Sequence, residues 1–228
     1  MKVSFVVPAY NEAATIRDVL DRVDALPLEK QVIVVDDGSS DGTAEIVEDW
    51  RRERPGVVFL RQANRGKGAA IRAAIPHVEG EIAVIQDADM EYDPADVPTL
   101  LEPIDRGAAD VVFGSRLSGG RPQRAYLFWH LVGNRVLSLM TNVLFNTTIS
   151  DMETGYKAIR ADVLRSLDLR EDRFGFEPEV TAKVCRRKLR IYEVPIAYYG
   201  RTYAEGKKIT WRDGVKAAWV LLRVRLAG

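Results

Sequence analysis

The stretch IAVIQDADME, residues 82–91, joins four apolar residues to three carboxylates spaced two residues apart. The apolar run, residues 82–85, predicts a buried strand. Because alternate side chains of an extended segment point the same way, we expect Asp87, Asp89 and Glu91 to converge where that strand ends. Carboxylates packed that closely resist ionising together unless a cation lies among them, and hard oxygen ligands suit Mg²⁺ or Mn²⁺. The alternative interpretation is an acidic turn on the surface.

Outward from this stretch, the first half of the chain alternates apolar runs with helical patterns. The predicted strands are Val3–Val7, Val32–Val35, Val57–Leu60, Ile82–Ile85 and Val111–Phe113, and the predicted helices are Ala13–Ala25, Thr43–Arg54, Gly68–His77 and Ala95–Arg106. This βαβ rhythm predicts an α/β fold with a mostly parallel sheet and helices on both faces. The less regular second half predicts helices at Tyr126–Phe145, from near Glu177 and at Trp211–Leu226, and a strand at Ile191–Val194.

Polar clusters follow the first four predicted strands, at residues 8–12, 36–39, 64–68 and 87–89. Ligands of parallel sheets bind beyond the carboxyl ends of the strands, so the clusters favour one shared site. Lys67 lies between two glycines, where backbone can approach an anion closely. The spacing of a Walker loop and the GxGxxG of a dinucleotide fold are both missing, which disfavours a P-loop ATPase and a nicotinamide dehydrogenase.

The composition is that of an ordinary globular protein. Of 228 residues, 46% are hydrophobic, which is enough for a sizeable core. The 33 basic residues balance 33 acidic ones, so no overall field attracts nucleic acid. Cys185, the single cysteine, predicts a packed or surface thiol, and with a strand already at Val3 we expect no targeting segment and a cytoplasmic location. The apolar segment Tyr126–Phe145 carries His130 and Arg135, which favours a buried or interfacial helix over a membrane span.

Four motifs in order resemble glycosyltransferase family 2, most closely its dolichol- or polyprenyl-phosphate mannose and glucose synthases. They are VVPAYNE at 6–12, VVDDGSSDGT at 34–43, NRGKG at 64–68 and DAD at 87–89. The resemblance covers residues 3–116 closely and continues more loosely to about residue 208. It implies a GT-A catalytic domain over residues 1–208, followed by an amphipathic helix at 209–228. It also implies metal-dependent transfer, with inversion, from GDP-mannose or UDP-glucose to polyprenyl phosphate.

The same resemblance implies roles for individual residues. The donor would lie against Pro8, Tyr10, Glu12, Asp36, Asp37, Lys67, Asp87, Ala88 and Asp89. Asp87 and Asp89 would hold the metal and diphosphate, and Glu91 stands where mannose synthases often have a glutamine that touches the metal. For Asp36 and Asp37, turn and helix-cap chemistry is the alternative role.

The acceptor side depends on cationic residues. Arg116, in Gly114-Ser115-Arg116, matches the family's Gly-Ser-Arg, whose arginine is expected to bind phosphate and so to act with Asp89 in catalysis. A surface salt bridge is the alternative for Arg116. Arg201 and Lys207 resemble a later Arg…Ser-Lys element that would bind the acceptor phosphate.

The class of acceptor decides whether a base is needed. A phosphate monoester is already anionic and needs positioning, whereas a hydroxyl of a soluble or polysaccharide acceptor needs a general base, with Asp151, Glu177 and Glu179 as candidates. Family members that act on hydroxyls often carry a Glu-Asp pair where this chain has Glu-Pro-Glu, which favours the lipid phosphate. A catalytically idle binding module is disfavoured by the intact Asp87 and Asp89.

The predicted C-terminal helix is amphipathic. Trp211–Leu226 combines an apolar face at three/four spacing with flanking basic residues, as in a helix that lies at a lipid interface. Residues 126–129 could add a second, peripheral membrane contact. The alternatives are that both helices cover the core or pair with a second subunit of a homo-oligomer.

Overall fold

The computed structural model describes residues 1–125, 127–202 and 210–227. Its strands are β1 Val3–Ala9, β2 Lys30–Asp36, β3 Val58–Arg61, β4 Ile82–Ile85, β5 Val111–Ser115, β6 Lys157–Arg160 and β7 Ile191–Pro195. Its α-helices are α1 Ile16–Asp24, α2 Thr43–Arg51, α3 Lys67–Ala74, α4 Val97–Asp105, α5 Phe128–Phe145, α6 Ala161–Ser166, α7 Phe176–Arg186 and α8 Trp211–Leu226. Every strand and helix that the sequence predicted is present, with ends shifted by a few residues.

The strands form one sheet in the order β3-β2-β1-β4-β6-β5-β7. All neighbouring pairs are parallel except those of β6, which runs antiparallel to both β4 and β5. The prediction of a mostly parallel α/β sheet is therefore confirmed.

The strand β6 was not predicted from the sequence. Lys157–Arg160 has only two apolar residues, so its pattern is too short to distinguish from a loop. Its pairing has a consequence for the site, because Lys157 lies opposite Ile85 of β4 and Phe113 of β5. The residues just before β6 therefore emerge at the same edge as the residues just after β4 and β5.

The apolar side chains form a core on each face of the sheet. Val3, Phe5 and Val7 of β1 belong to one cluster with residues of α1, α2 and α4. Val6 of β1 belongs to the other cluster, with residues of α3, α6, α7 and α8. This alternation follows from the period of two along a strand, and fully burying each such side chain stabilises the fold by about 1.5–3 kcal/mol.

Helix α8 packs on the body of the protein with one face only. Ala217, Val220, Leu221 and Val224 are buried, and α8 contacts α5 and α7. The predicted boundary between residues 208 and 209 lies outside the described residues, so the division into domains stays a prediction. Among the described helices, none has both the length and the apolar character needed to cross a bilayer. Cys185 is buried in α7, where burial raises the pKa of its thiol to about 12.

Candidate active site

A cavity of about 410 Å³ opens at the carboxyl edge of the sheet. Loops after β1, β2, β3, β4, β5 and β7 line it, together with the turn before β6 and the start of α7. Twelve residues singled out from the sequence meet there: Pro8, Tyr10, Glu12, Asp37, Lys67, Asp87, Ala88, Asp89, Glu91, Arg116, Glu177 and Arg201. Asp36, Asp151 and Glu179 do not line the cavity, and Lys207 lies outside the described residues.

Lys67 forms a buried ionic cluster on one side of the cavity. Its Nζ lies 2.7 and 2.9 Å from the two carboxylate oxygens of Asp87 and 2.8 Å from Oε1 of Glu177. Burial opposes the charge on Lys67, but Asp87 and Glu177 outweigh it and raise the lysine pKa above its ordinary value. The Asp87 carboxylate is thus held in one orientation by a cation that stays charged.

Gly155 makes room for this cluster. A Cβ built on Gly155 would lie 2.6 Å from Oδ2 of Asp87 and 2.7 Å from Nζ of Lys67. Both distances are shorter than carbon contacts allow, and Glu177 also holds Lys67 in place. A larger residue before β6 would therefore force the ends of the Asp87 and Lys67 side chains to move from their paired positions.

The three carboxylates after β4 lie close enough for the charges of Asp87 and Glu91 to act on Asp89, but they are not grouped so that all three could hold one ion. Asp89 bonds Arg201, whereas Glu91 accepts hydrogen bonds from the Tyr198 hydroxyl at 2.8 Å and the Arg201 backbone N–H at 2.7 Å. Among the residues that the structure describes, no three His, Cys, Asp or Glu side chains are grouped to hold an ion. The reason is local, because β4 ends at Ile85 and Met90 adopts a left-handed backbone (φ 59°), which breaks the alternation of an extended chain.

Arg201 neutralises much of the negative charge at this point. Its guanidinium lies 3.0 and 3.2 Å from the two oxygens of Glu12, 3.0 Å from Asp89 and 3.6 Å from Glu91. Burial, followed by the charges of Asp87 and Glu91, raises the pKa of Asp89 to about 7, and Arg201 opposes that rise.

The donor atoms at Asp87 and Asp89 fit a divalent cation. Both carboxylates line the cavity, and carboxylate oxygens are the ligands that Mg²⁺ and Mn²⁺ prefer. Burial and then the charges of Asp87 and Glu91 raise the pKa of Asp89, so a further cation at this point would favour its ionised form. Asp87 and Asp89 are therefore the residues that could hold the ion, while Glu91 is engaged by Tyr198 and Arg201.

Arg116 also lines the cavity and is held in a fixed orientation by Asp151. Its Nε and NH2 each lie 2.7 Å from a carboxylate oxygen of Asp151, and its backbone N–H donates to the same carboxylate at 2.9 Å. Asp151 is fully buried and also accepts from Asn134 at 2.7 Å. Although burial opposes ionisation of Asp151, Arg116 and Asn134 bring its pKa below the ordinary value. Asp151 therefore positions the arginine, which rules out the surface salt bridge considered for Arg116.

The other two proposed bases are engaged as well. Glu179 is buried outside the cavity, accepts hydrogen bonds from the backbone N–H groups of Arg170 and Glu171, and pairs with Lys183 at 2.8 Å. Glu177 lines the cavity but pairs with Lys67. Glu179 therefore stabilises the fold outside the cavity, and Glu177 belongs to the cluster around Lys67.

The pair Asp36 and Asp37 shapes two loops. Asp36 accepts from the Ser39 backbone N–H at 3.1 Å, as the turn alternative predicts. Asp37 accepts from the backbone N–H groups of Arg65 at 2.9 Å and Gly66 at 2.7 Å, and so fixes the loop that leads into α3. Asp37 lines the cavity and Asp36 does not, so a direct contact with a nucleoside stays a prediction for Asp37 alone.

Several residues of the cavity were not singled out from the sequence, among them Tyr92, Glu153 and Tyr198. Tyr92 stacks on Tyr156 with ring centroids 5.1 Å apart, and its hydroxyl accepts from the Gly155 N–H at 3.0 Å. The Tyr198 ring lies 5.1 Å from the guanidinium carbon of Arg116. Glu153 lies in the DMETGYK segment, residues 151–157, whose polar residues were the available signal.

The fold and the site define a class of protein, the glycosyltransferases of the GT-A fold. A crystal structure of glucosyl-3-phosphoglycerate synthase from Mycobacterium tuberculosis with Mn²⁺, UDP and glucosyl-3-phosphoglycerate has the same fold, with a TM-score of 0.76 and 21% identity. The match covers 99% of this chain and 79% of that chain.

The chain belongs to glycosyl transferase family 2, whose family model matches residues 4–168, and it is therefore a glycosyltransferase. An undecaprenyl-phosphate mannosyltransferase of Micrococcus luteus is 33% identical over 99% of this chain and 99% of that protein. A dolichol-phosphate mannosyltransferase of Pyrococcus furiosus is 29% identical over 91% of this chain, which spans 59% of that protein. The family resemblance noted in the sequence is confirmed.

Proposed function

We propose that this enzyme transfers a hexose from a nucleotide sugar, GDP-mannose or UDP-glucose, to a polyprenyl phosphate at a membrane surface. A phosphate oxygen of the acceptor forms the new bond to the anomeric carbon, and the bond from that carbon to the donor diphosphate breaks. The electron pair leaves with the nucleoside diphosphate, and a direct displacement of this kind inverts the anomeric carbon.

The donor side of the proposal rests on Asp87, Asp89 and Lys67. The two aspartates would hold Mg²⁺ or Mn²⁺, which when bound neutralises charge on the departing diphosphate. Lys67 keeps Asp87 oriented and adds a fixed positive charge at 2.7 Å from it. Asp37 holds the loop before Lys67 through the Arg65 and Gly66 N–H groups. The neighbour crystallised with Mn²⁺ and UDP supports this arrangement at the level of the fold.

The observation that carries the choice of acceptor is the buried pairing of Arg116 with Asp151. A planar guanidinium locked at two nitrogens presents its remaining edge in a fixed orientation, which suits a phosphate. The same pairing argues against Asp151 as a base, and Glu177 and Glu179 are engaged elsewhere. An acceptor that arrives already anionic fits this site better than a hydroxyl does. The relatives named as undecaprenyl- and dolichol-phosphate mannosyltransferases add support.

The membrane part of the proposal rests on an apolar face made by α5 and α8, which pack against each other. Trp129 is 78% exposed and Trp211 is 76% exposed. We call this face the α5–α8 surface, and its other exposed apolar residues are Phe128, Val136, Leu139, Val143, Val215, Trp219, Leu222 and Leu226. Arg212, Lys216 and Arg225 are exposed on α8, so the surface combines apolar and basic groups, as helices on anionic bilayers do. Tyr126, the first residue of the second predicted contact, lies outside the described residues.

Organic extraction tests the reaction. The purified full chain is incubated with Mg²⁺ or Mn²⁺, polyprenyl phosphate and radiolabelled GDP-mannose or UDP-glucose. We expect label in the organic phase that depends on both the metal and the lipid. Label found only in water-soluble glycan would replace the lipid phosphate with a hydroxyl acceptor, and absence of any transfer would contradict the proposal.

Vesicle flotation tests the membrane contact. We expect the protein to float with vesicles of phosphatidylglycerol and phosphatidylcholine, and Trp219→Ser to weaken binding several-fold because an amphipathic aromatic side chain leaves the interface. Tyr192→Ser is the matched control, because Tyr192 is an exposed aromatic residue on β7. Equal flotation of both variants, or a dimer in solution that Trp219→Ser dissociates, would contradict the membrane assignment.

A further inference from the structure

The turn before β6, residues 151–155, is anchored at four of its five positions. Asp151 binds Arg116, and the Met152 N–H donates to the Ser138 hydroxyl at 3.0 Å. The Thr154 hydroxyl donates to the Gly114 carbonyl at 2.6 Å, and the Gly155 N–H donates to the Tyr92 hydroxyl at 3.0 Å. In addition, the ammonium group of Lys157 donates to the carbonyl oxygens of Met152 and Thr154. The turn is therefore a rigid support.

Glu153 is the exception in this turn. It lines the cavity, and its Oε1 is buried with no hydrogen-bond partner among the residues that the structure describes. A buried polar oxygen without a partner is destabilising, and the exceptions in native proteins call for an explanation. The hydrogen bonds that anchor the neighbouring residues oppose a shift of the turn that would bring a partner to this oxygen. The missing partner is therefore best supplied by a ligand in the cavity.

Glu153 lies near charged residues from several elements of the site. Four charged groups act on its carboxyl: Glu177 from α7, Lys157 from β6, Arg116 from the loop after β5, and Asp151 from its own turn. Glu177 belongs to the Lys67 cluster, which the proposed function assigns to the donor, and Arg116 lines the same cavity and is assigned to the acceptor. In the proposed reaction, the group that lies between a donor diphosphate and an acceptor phosphate is the transferred sugar.

We propose that Glu153 binds a hydroxyl group of the transferred hexose and is a specificity-determining residue for the donor sugar. This inference rests on the proposed function. Burial, and next the charge of Glu177, raises the pKa of Glu153 to about 8. At neutral pH the carboxyl is mostly protonated, so it can donate one hydrogen bond and accept another without repelling the phosphates on either side. A protonated carboxyl also suits sugar binding better than removal of a proton from an acceptor.

Donor analogues test the assignment. Binding of the nucleoside diphosphate alone is compared with kcat/KM for the parent nucleotide sugar and for its monodeoxy forms, in the unmodified enzyme, Glu153→Ala and Glu153→Gln. We expect Glu153→Ala to leave nucleoside diphosphate affinity within about twofold and to lower kcat/KM for the parent donor about 10- to 100-fold, the value of one hydrogen bond to a strong partner. In the unmodified enzyme, one monodeoxy donor should have a kcat/KM lower than that of the parent donor by a similar factor. In Glu153→Ala, removal of the same hydroxyl should lower kcat/KM no further. Glu153→Gln, which keeps both a donor and an acceptor, should retain most of the discrimination.

Glu193→Gln is the matched structural control. Glu193 lies on β7 and accepts from the Ser150 and Asp151 N–H groups, so the change disturbs the base of the same turn from outside the cavity. We expect Glu193→Gln to leave the ratio of kcat/KM between the parent and monodeoxy donors unchanged. An equal loss of nucleoside diphosphate and nucleotide-sugar binding in Glu153→Ala would show a merely structural role. Unchanged discrimination between the donors, with loss of the acidic limb of the pH–rate profile, would show a general base, and either result overturns the inference. If the unmodified enzyme transfers neither hexose, the proposed function itself fails, which is a different result.

Discussion

Replacing Asp151 with alanine should destabilise the protein strongly, although Asp151 does not line the cavity. The Asp151 carboxylate accepts four hydrogen bonds, from the backbone N–H, Nε and NH2 of Arg116 and from the Asn134 amide. Its side chain is fully buried, and that of Arg116 is only 16% exposed. Removal of Asp151 leaves the Arg116 guanidinium buried without a counter-charge. Breaking a buried pair in this way costs about 3–5 kcal/mol.

A double-mutant cycle separates this cost from the net value of the pair. Urea unfolding at pH 7 gives the free energy of unfolding for Asp151→Ala, Arg116→Met and the double variant. We expect the double variant to be about 2–3 kcal/mol more stable than the sum of the single effects predicts, because it leaves no charge unpaired. The reasoning would be refuted if Asp151→Ala lowered the free energy of unfolding by less than about 1 kcal/mol. It would also be refuted if the effects of the two single substitutions simply added in the double variant.

The pH dependence gives a second check on the same pair. Burial opposes ionisation, but Arg116 and Asn134 lower the pKa of Asp151 in the folded protein below its ordinary value of 3.8. A carboxylate with a lowered folded-state pKa stabilises the fold fully above the unfolded-state pKa, and the contribution is lost as the pH falls through the folded-state value. The stability difference between the unmodified protein and Asp151→Ala should therefore be constant near neutral pH and shrink below pH 3.8.

Three further substitutions test the site. Asp89→Ala should abolish transfer. Circular dichroism and Tm should stay near the values of the unmodified protein, because Arg201 keeps Glu12 and Glu91 as partners. Turnover like that of the unmodified enzyme would refute a metal-binding role for Asp89. Gly155→Ala should lower nucleotide-sugar affinity at least tenfold by calorimetry, because its Cβ would lie 2.6 Å from Asp87 Oδ2; unchanged affinity would mean that the Asp87–Lys67 pair moves without consequence. Arg116→Lys should raise the KM for polyprenyl phosphate about tenfold with little change for the donor, because an ammonium lacks the planar fork; equal changes for both substrates would argue against an acceptor role.

Much of the fold could be predicted from local pattern alone. The β1, β2 and β4 strands are apolar runs bounded by turn residues, and their periodicity is a property of neighbouring residues. The family motifs also lie within single loops, so they could be recognised without knowledge of packing. The β6 strand could not be predicted, because Lys157–Arg160 becomes a strand only through pairing with β4 and β5, more than forty residues earlier in the chain.

The candidate site was predicted in its components but not in its pairings. The sequence indicated that Asp87, Asp89 and Glu91 would hold one ion together, yet Met90 adopts a left-handed conformation and Glu91 bonds Tyr198 and Arg201. It indicated that Asp151 could be a base, yet the tertiary fold surrounds Asp151 with four donors. Burial and hydrogen-bond partners decide what a carboxylate can do, and neither is visible in a string of residues.

The amino-acid sequence by itself determined the α/β class, the family and the edge of the sheet at which ligands bind, because these depend on short-range periodicity and on motifs contained in single loops. Only the tertiary structure decided which distant charges meet. Arg201 reaches Asp89 across 112 positions, and the antiparallel β6 delivers Glu153 to the cavity. Such contacts arise from strand order and chain direction, which local pattern does not encode, and they determine the protonation and orientation of every group in the site.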